Sequence, residues 1–322
     1  QEPFMKNNGV FDFLKLRATW GELGNANVNA SSGGITSTEV DAAFGDTRFP
    51  GLVTSNDFEA LKWEVTTDTN FGITAKMFNN QLSIDAEYFS RETRDAIIPV
   101  SRLLVPGSTR QNLGVIKNSG FEIAVNWNNR VSDDFSYSIG ANFTTLQNEI
   151  VDLAGQENLT TGGDTAQRSV VGGAINSFYG LEVAGVYQTP EEILADPAAQ
   201  VAIANGLTVE PGDFRFVDHF EDGEIDAQDR VDLGSYLPSY TFGFNFGLNY
   251  KAFDFSLNII GQGGNVIANI KRFDIRQTSD RNIDRDFAIN RWNGTGTSNT
   301  YPSARGIRNP WSNQFLNSFF VE

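Results

Sequence analysis

Tyr240-Thr241-Phe242-Gly243-Phe244-Asn245-Phe246-Gly247-Leu248-Asn249-Tyr250 is the stretch that decides the fold. Side chains along a strand point alternately to opposite faces. Tyr240, Phe242, Phe244, Phe246, Leu248 and Tyr250 therefore share one face, and Thr241, Gly243, Asn245, Gly247 and Asn249 the other. The first face is apolar with a tyrosine at each end; the second is small and polar. After Lys251 and Ala252 the pattern resumes, with Phe253, Phe255, Leu257 and Ile259 alternating with Asp254, Ser256 and Asn258, which reads as a tight hairpin.

The same alternation recurs outward from this hairpin. Phe71, Ile73, Ala75 and Met77 lead through Phe78-Asn79-Asn80 to Leu82, Ile84, Ala86 and Tyr88. Phe121, Ile123, Val125 and Trp127 lead through 129–134 to Tyr137, Ile139, Ala141 and Phe143, and Leu14, Leu16, Ala18 and Trp20 stand alone near the start. Strands are expected near 12–20, 65–77, 81–90, 119–128, 135–146, 239–250 and 253–262, with another beginning at 315–321. The short turns 78–80, 129–134 and 251–252 alternate with long connections at 21–64, 91–118, 148–238 and 263–314. Long strands joined by short turns at one end and long loops at the other are the pattern of an outer-membrane barrel, whose apolar face meets lipid. The expected fold is therefore all-β, an antiparallel transmembrane β-barrel with long extracellular loops. Tyr88, Trp127, Tyr240 and Tyr250, near strand ends, are candidates for its interfacial aromatic girdles. The competing reading is a secreted, soluble all-β binding protein or adhesin, with the Phe-rich faces buried between two sheets.

Composition narrows the function. Among 322 residues, 40 acidic against 24 basic side chains give a net charge of −16, which argues against nucleic acid as the partner. The chain has no cysteine and a single histidine, His219, so thiolate chemistry is excluded and a histidine triad or multi-histidine metal site has too few members. No enzymatic activity is expected. The 26 Phe, 8 Tyr, 5 Trp and 31 Gly suit sheet rather than helix, and no apolar run reaches the roughly 18 residues of a transmembrane helix.

Several segments, in order, resemble the SusC-like (RagA-like) TonB-dependent outer-membrane transporters. They are Leu14-Lys15-Leu16-Arg17-Ala18-Thr19-Trp20-Gly21 with Leu23-Gly24-Asn25, Asn118-Ser119-Gly120-Phe121-Glu122, Asn148-Glu149-Ile150 and the acidic run Gly212 to Arg230. Leu237-Pro238-Ser239-Tyr240-Thr241-Phe242-Gly243, Arg291-Trp292-Asn293 and Phe319-Phe320-Val321-Glu322 complete the likeness. The resemblance implies a C-terminal portion, residues 1–322, of a barrel of roughly 22 strands, without the N-terminal plug and the final strands. It also implies TonB-dependent import of a glycan or peptide oligomer across the bacterial outer membrane. The implied partners are a SusD-like surface lipoprotein, the TonB complex through N-terminal parts absent from this chain, and outer-membrane lipid. A dimer of transporter–lipoprotein pairs is a further implication.

Two groups of residues are candidates for binding. Asp218, Asp222, Glu224, Asp226 and Asp229 fall at positions 1, 5, 7, 9 and 12 of a calcium loop with Gly223 at the sharp turn, so Ca2+ is the expected ion. Phe220 at position 3 and an aspartate at position 12 depart from that pattern, and the competing reading is an acidic turn shaped by local hydrogen bonds. His219 within it reads as a solvated loop residue. Phe178, Tyr179, Tyr236, Trp292, Tyr301 and Trp311, with Tyr187, lie in expected extracellular loops where aromatic faces stack on substrate; packing of the loops on one another is the alternative for each. Lys271 to Arg291 reads as a solvated helical surface. Segments 148–176 and 189–212, with Thr189-Pro190-Glu191-Glu192 as a helix start, read as elaborated external loops rather than a separate domain. Asp85, Glu87 and Glu122 on the polar faces are explained by a wet lumen without catalysis.

Overall fold

A computed structural model describes residues 10–26, 35–44, 47–56, 61–101, 108–161, 167–275, 282–313 and 316–322. It comprises two compact units: residues 1–159, 170–175 and 238–264 form one, and 160–169, 176–237 and 265–322 the other. In chain order the first elements are β1 (Phe11–Asn25), β2 (Ile35–Phe44), β3 (Thr47–Asn56), β4 (Glu64–Met77), β5 (Leu82–Ser101), β6 (Ser108–Ser132), β7 (Phe135–Thr145) and β8 (Gln147–Asp152). There follow β9 (Asn158–Thr161), β10 (Gln167–Val170), β11 (Ser177–Leu181), β12 (Val183–Val186), α1 (Pro190–Ala195), α2 (Pro197–Ala204), β13 (Phe214–Phe216) and β14 (Arg230–Gly234). The last are β15 (Tyr240–Tyr250), β16 (Phe253–Gly263), α3 (Ile270–Ile275), α4 (Arg285–Asn290) and α5 (Pro310–Asn313).

The first unit is an antiparallel sheet in the order β1-β4-β5-β6-β7-β15-β16, with β8 also paired to β6. β1 and β16 end this path, so the sheet is open. The deciding stretch is β15 itself, paired from Tyr240↔Thr145 to Tyr250↔Phe135 on one side and from Tyr240↔Gly263 to Tyr250↔Phe253 on the other. Gly261 and Gly263 lie opposite Phe242 and Tyr240, and a Cβ at either would stand 2.4 Å from the facing aromatic side chain. The glycines let the rings lie across the neighbouring strand, a cross-strand pairing that offsets the weakness of glycine in a sheet. The Gly261–Gly264 run is thus mostly strand, with the turn confined to Gly264 at φ +75°.

Two expectations about the connections are corrected. The segment 91–118 is not chiefly a loop: β5 and β6 extend through it as a long ladder, from Thr93↔Ile116 to Ser101↔Ser108. Its alternation is scrambled by a bulge around Asp95, whose φ is +55°, with register shifts on both sides of Ala96. A one-residue offset moves every following side chain to the other face, which hides a strand from a period-two reading. The strand expected to begin at 315–321 is not formed among the described residues 316–322. Among the described residues there, only Asn317 and Val321 make isolated bridges, to Leu181 and Ala268. The Asn317 side chain accepts from Phe319 N (3.1 Å) and donates to Ser312 O (3.1 Å), turning the chain so that Leu316, Phe319 and Phe320 all enter a core.

That core belongs to the second unit and corrects the view of 189–212 as elaboration of loops. Phe178, Leu181, Tyr187, Ile193, Phe214, Phe216, Phe287, Ile307, Trp311, Leu316, Phe319 and Phe320 are buried together. Around them lie β11 paired with β14, β12 paired with β13, and short helices. α1 begins where Thr189-Pro190 predicts, the Thr189 side chain accepting from Glu192 N; Asp196 caps α2 in the same way through Ala198 N. The segment 148–176 divides between the units, and its Ile150 and Leu153 join Ile98 in a small satellite core of the first.

Candidate functional site

The sheet of the first unit has two chemically opposed faces. Leu16, Phe71, Phe121, Phe244, Phe255 and Leu257 stand on the apolar face and are exposed, Leu16 to 76%. Monomeric soluble proteins rarely leave so much contiguous apolar surface uncovered. Aromatic rows bound it at both ends. Near the short turns Trp127 Nε1 donates to Tyr137 OH (3.1 Å), Phe78 lies 6.0 Å from Trp127, and Phe135 packs edge-on to Tyr250 at 6.3 Å. Toward the long connections Tyr88 pairs with Phe121 at 5.1 Å and Phe143 stacks on Tyr240 at 5.8 Å. At about 3.4 Å per residue Tyr240 and Tyr250 are about 34 Å apart along β15, and a strand tilt of about 40° projects this to about 26 Å, close to the apolar band of an outer-membrane barrel.

The opposite face is polar. Arg17 on β1 bridges Asp85 (2.7 Å) and Glu87 (3.1 Å) on β5 and also donates to Thr74 on β4, which in turn donates to Asp85 (2.6 Å). Gly72 makes this reach possible, since a Cβ there would lie 2.9 Å from Arg17 Nη2 and 3.0 Å from Glu87 Oε2. Glu122 is paired in register with Glu87 across β5 and β6 and is exposed.

The remaining candidates lie in the second unit. Phe178 and Trp311 are core residues; the Trp311 indole donates to Phe214 O (2.8 Å) and its ring meets Phe216 at 5.6 Å. Tyr179 lies under the Arg168 guanidinium at 4.5 Å, and Tyr236 is exposed on its own. Trp292 and Tyr301 are brought together, joined by Trp292 N to Tyr301 O (3.1 Å). Trp292 Nε1 donates to Gln188 Oε1 (3.1 Å), and the Tyr301 hydroxyl donates to Asp286 (2.6 Å) and accepts from Arg272 (3.3 Å). Asp286 as acceptor raises the Tyr301 pKa above its ordinary value.

In the acidic loop four of the five candidate carboxylates, Asp218, Asp222, Asp226 and Asp229, accept from the loop's own backbone. Asp229, buried, accepts from His219 N, Phe220 N and Asp226 N, and Asp218 accepts from Gly223 N. Asp222 and Asp226 accept from Glu224 N and Gln228 N. Among the described residues no group of three or more His, Asp or Glu side chains converges as a metal site. His219 Nε2 lies 3.0 Å from Glu182.

Sequence reasoning passed over two residues that organise this unit, Asp213 and Gln188. Asp213 is fully buried and takes Arg305 on both oxygens (3.0 and 2.9 Å), Asn309 (2.7 Å) and Glu210 N (2.8 Å). Burial pushes its carboxyl above the usual range, against the pull of these donors. Gln188 spends its amide on Trp292, Gly296, Val186 and Ser298. Arg305, Asn309, Trp292, Gly296 and Ser298 lie 92 to 110 positions from the residues they join, so no local pattern announces them.

The family described as TonB dependent receptor-like, beta-barrel, matches residues 8–301 of the chain. The chain belongs to this family of TonB-dependent receptors. TonB-dependent receptor P3 of Formosa agariphila is 30% identical over 94% of the chain and 30% of the relative. TonB-dependent receptor SusC of Bacteroides thetaiotaomicron is 29% identical over 83% of the chain and 26% of the relative. Among solved structures, that of the RagAB peptide transporter superimposes with a TM-score of 0.71 at 22% identity, covering 99% of this chain and 34% of that one. The RagAB peptide importer in the "open-open" state gives the same TM-score at 20% identity. These likenesses share the fold, an antiparallel TonB-dependent receptor barrel, of which the chain spans about a third of the relatives' length.

Proposed function

We propose that this chain is wall and loop structure of a TonB-dependent importer that carries a glycan or peptide oligomer across the bacterial outer membrane. A SusD-like surface lipoprotein delivers the cargo in this reading, and the TonB complex supplies energy through parts of the protein outside residues 1–322. The observation that carries it is the sheet's division into an exposed apolar face between two aromatic rows and a polar opposite face, since only a wall between lipid and a wet interior needs both at once. The second unit corresponds to the long connections and supplies the outer surface, with Trp292, Tyr301, Tyr179 and Tyr236 as its substrate-facing aromatics. Calcium binding by the 218–229 loop would require its carboxylates to turn from backbone N–H groups to an ion.

The test is purification of the native full-length protein from outer membranes in mild detergent, with mass spectrometry of what accompanies it. Recovery with a stoichiometric lipoprotein supports the importer. Recovery from the soluble fraction, alone and monodisperse without detergent, overturns it in favour of a secreted binding protein.

A further inference from the structure

Asn-Gly pairs occur at Asn8-Gly9, which lies outside the described residues, at Asn205-Gly206 and at Asn293-Gly294, and Asp222-Gly223 is an Asp-Gly pair. In such a pair the second residue has no side chain to hinder its nitrogen, which can attack the carboxyl or carboxamide carbon of the first and close a succinimide ring. The attack needs a backbone N–H that no acceptor holds.

The described pairs differ in that respect. Gly206 N donates to Ile203 O (3.0 Å) just past the end of α2. Gly223 N donates to Asp218 (2.8 Å), and the Asp222 carboxylate accepts from Glu224 N (3.0 Å). Asn293 is exposed, and among the described residues neither its carboxamide nor Gly294 N has a hydrogen-bond partner. A Cβ on Gly294, whose φ is +130°, would meet nothing within 4 Å, so the space around the nucleophile is open. The turn on either side is pinned. Asn293 N donates to Thr297 Oγ1 (2.8 Å), and Thr297 N and Oγ1 donate to Gly294 O (3.1 and 2.7 Å). Gln188 Oε1 accepts from both Trp292 Nε1 (3.1 Å) and Gly296 N (2.8 Å).

We propose that Asn293 is a site of spontaneous self-modification that converts it to isoaspartate and thereby loosens the turn around Trp292. Gly294 N bonds to Asn293 Cγ, the Cγ–Nδ2 bond breaks, and the side-chain nitrogen leaves as ammonia with the Gly294 proton. Water then adds across one imide C–N bond of the ring and gives either aspartate or isoaspartate. The isoaspartyl form carries one extra main-chain methylene between residues 293 and 294 and a new negative charge. The Thr297 and Gln188 bonds on the two sides of that linkage cannot then all be kept, so the Gln188 bridge from Gly296 to the Trp292 indole is given up. The reaction is intramolecular and depends on the local turn, and it stands independently of the import reading.

The test uses the full-length protein purified from membranes with whatever accompanies it, aged in mildly alkaline buffer and sampled over time. Proteolytic peptides are read by electron-transfer fragmentation, which separates isoaspartate from aspartate, and a free Trp-Asn-Gly-Thr peptide in the same buffer sets the rate of an unconstrained pair. Conversion at 293 is expected within tenfold of the free peptide and at least tenfold faster than at 205 or 222. Slower conversion at 293, or conversion no faster than at those two sites, overturns the proposal. Asn293→Gln, which would have to close a larger ring, should abolish the product at this position. Hydrogen exchange at the Gly296 amide should quicken in the aged wild type and stay unchanged in the aged Asn293→Gln protein. Exchange that is unaltered despite full conversion at 293 overturns the loosening of the turn.

Discussion

At the scale of the residue, the second unit is held in part by buried polar side chains with specific partners. Tyr187 is buried with its hydroxyl on Asp196 at 2.7 Å, and burial together with that carboxylate raises its pKa far above the ordinary value. A phenol whose pKa is raised on folding contributes stability that is complete below its unfolded pKa of about 10 and is lost as pH rises above it. Tyr187→Phe should therefore cost about 1.5–3 kcal/mol near neutral pH, the worth of a hydrogen bond to a charged group. Above pH 10 the wild type should lose stability more steeply than the variant, read from thermal unfolding midpoints across pH. Arg305→Ala leaves Asp213 buried without its cation and should cost about 3 kcal/mol; Arg305→Lys should recover only part of it, because an ammonium cannot hold Asp213 through Nη2 and Glu210 through Nε at once. Loss of none of this stability in Arg305→Ala would mean that Asn309 and Glu210 N satisfy Asp213 by themselves. The Asp213–Arg305 pairing is illegible in the sequence because buried pairing depends on position in space, whereas the acidic-loop residues are conspicuous by spacing, and Asp218, Asp222, Asp226 and Asp229 accept from the loop's own backbone.

At the scale of the element, alternation proved the dependable signal where the pleat is regular. β15 and β16 run from Tyr240 to Gly263 with one short turn and an unbroken register. Lys251 supplies the positive φ of that turn, +54°, without a glycine, so the turn was legible from its length rather than its residues. A charge placed on the apolar face should be excluded from lipid while the same charge on the polar face is tolerated. Phe244→Arg is expected to cost about 2–4 kcal/mol and Ser256→Arg less than about 1 kcal/mol, measured by the amount of heat-modifiable barrel recovered from outer membranes. Equal recovery of the two variants would remove the distinction between the faces. Where the pleat slips, as at Asp95, alternation fails for a local reason; the expected strands 81–90 and 119–128 stop short of that bulge, although regular pairing continues to Thr93↔Ile116.

At the scale of the whole molecule, the two units rest on different physics. The first is a ladder whose apolar face carries exposed side chains such as Leu16, Phe71 and Phe255, and the second has a core of interleaved aromatics. Trp311→Ala should cost the second unit about 3–5 kcal/mol by opening a cavity beside Phe216. Protease added to intact cells should then cut within 176–237, with the barrel still assembled. Resistance equal to wild type would place Trp311 outside the stabilising core. The amino-acid sequence by itself determined the strands, their hairpin pairing and which face is apolar, because these follow from a period of two and from nearest-neighbour turns. It also carried the family resemblance, through short ordered segments that fold locally. Only the tertiary structure decided that the long connections condense into a unit with its own core, and that Phe178 and Trp311 are buried while Tyr236 is exposed. Those outcomes depend on contacts between residues far apart in the chain, where burial and pairing are set by the packed whole and not by any local pattern.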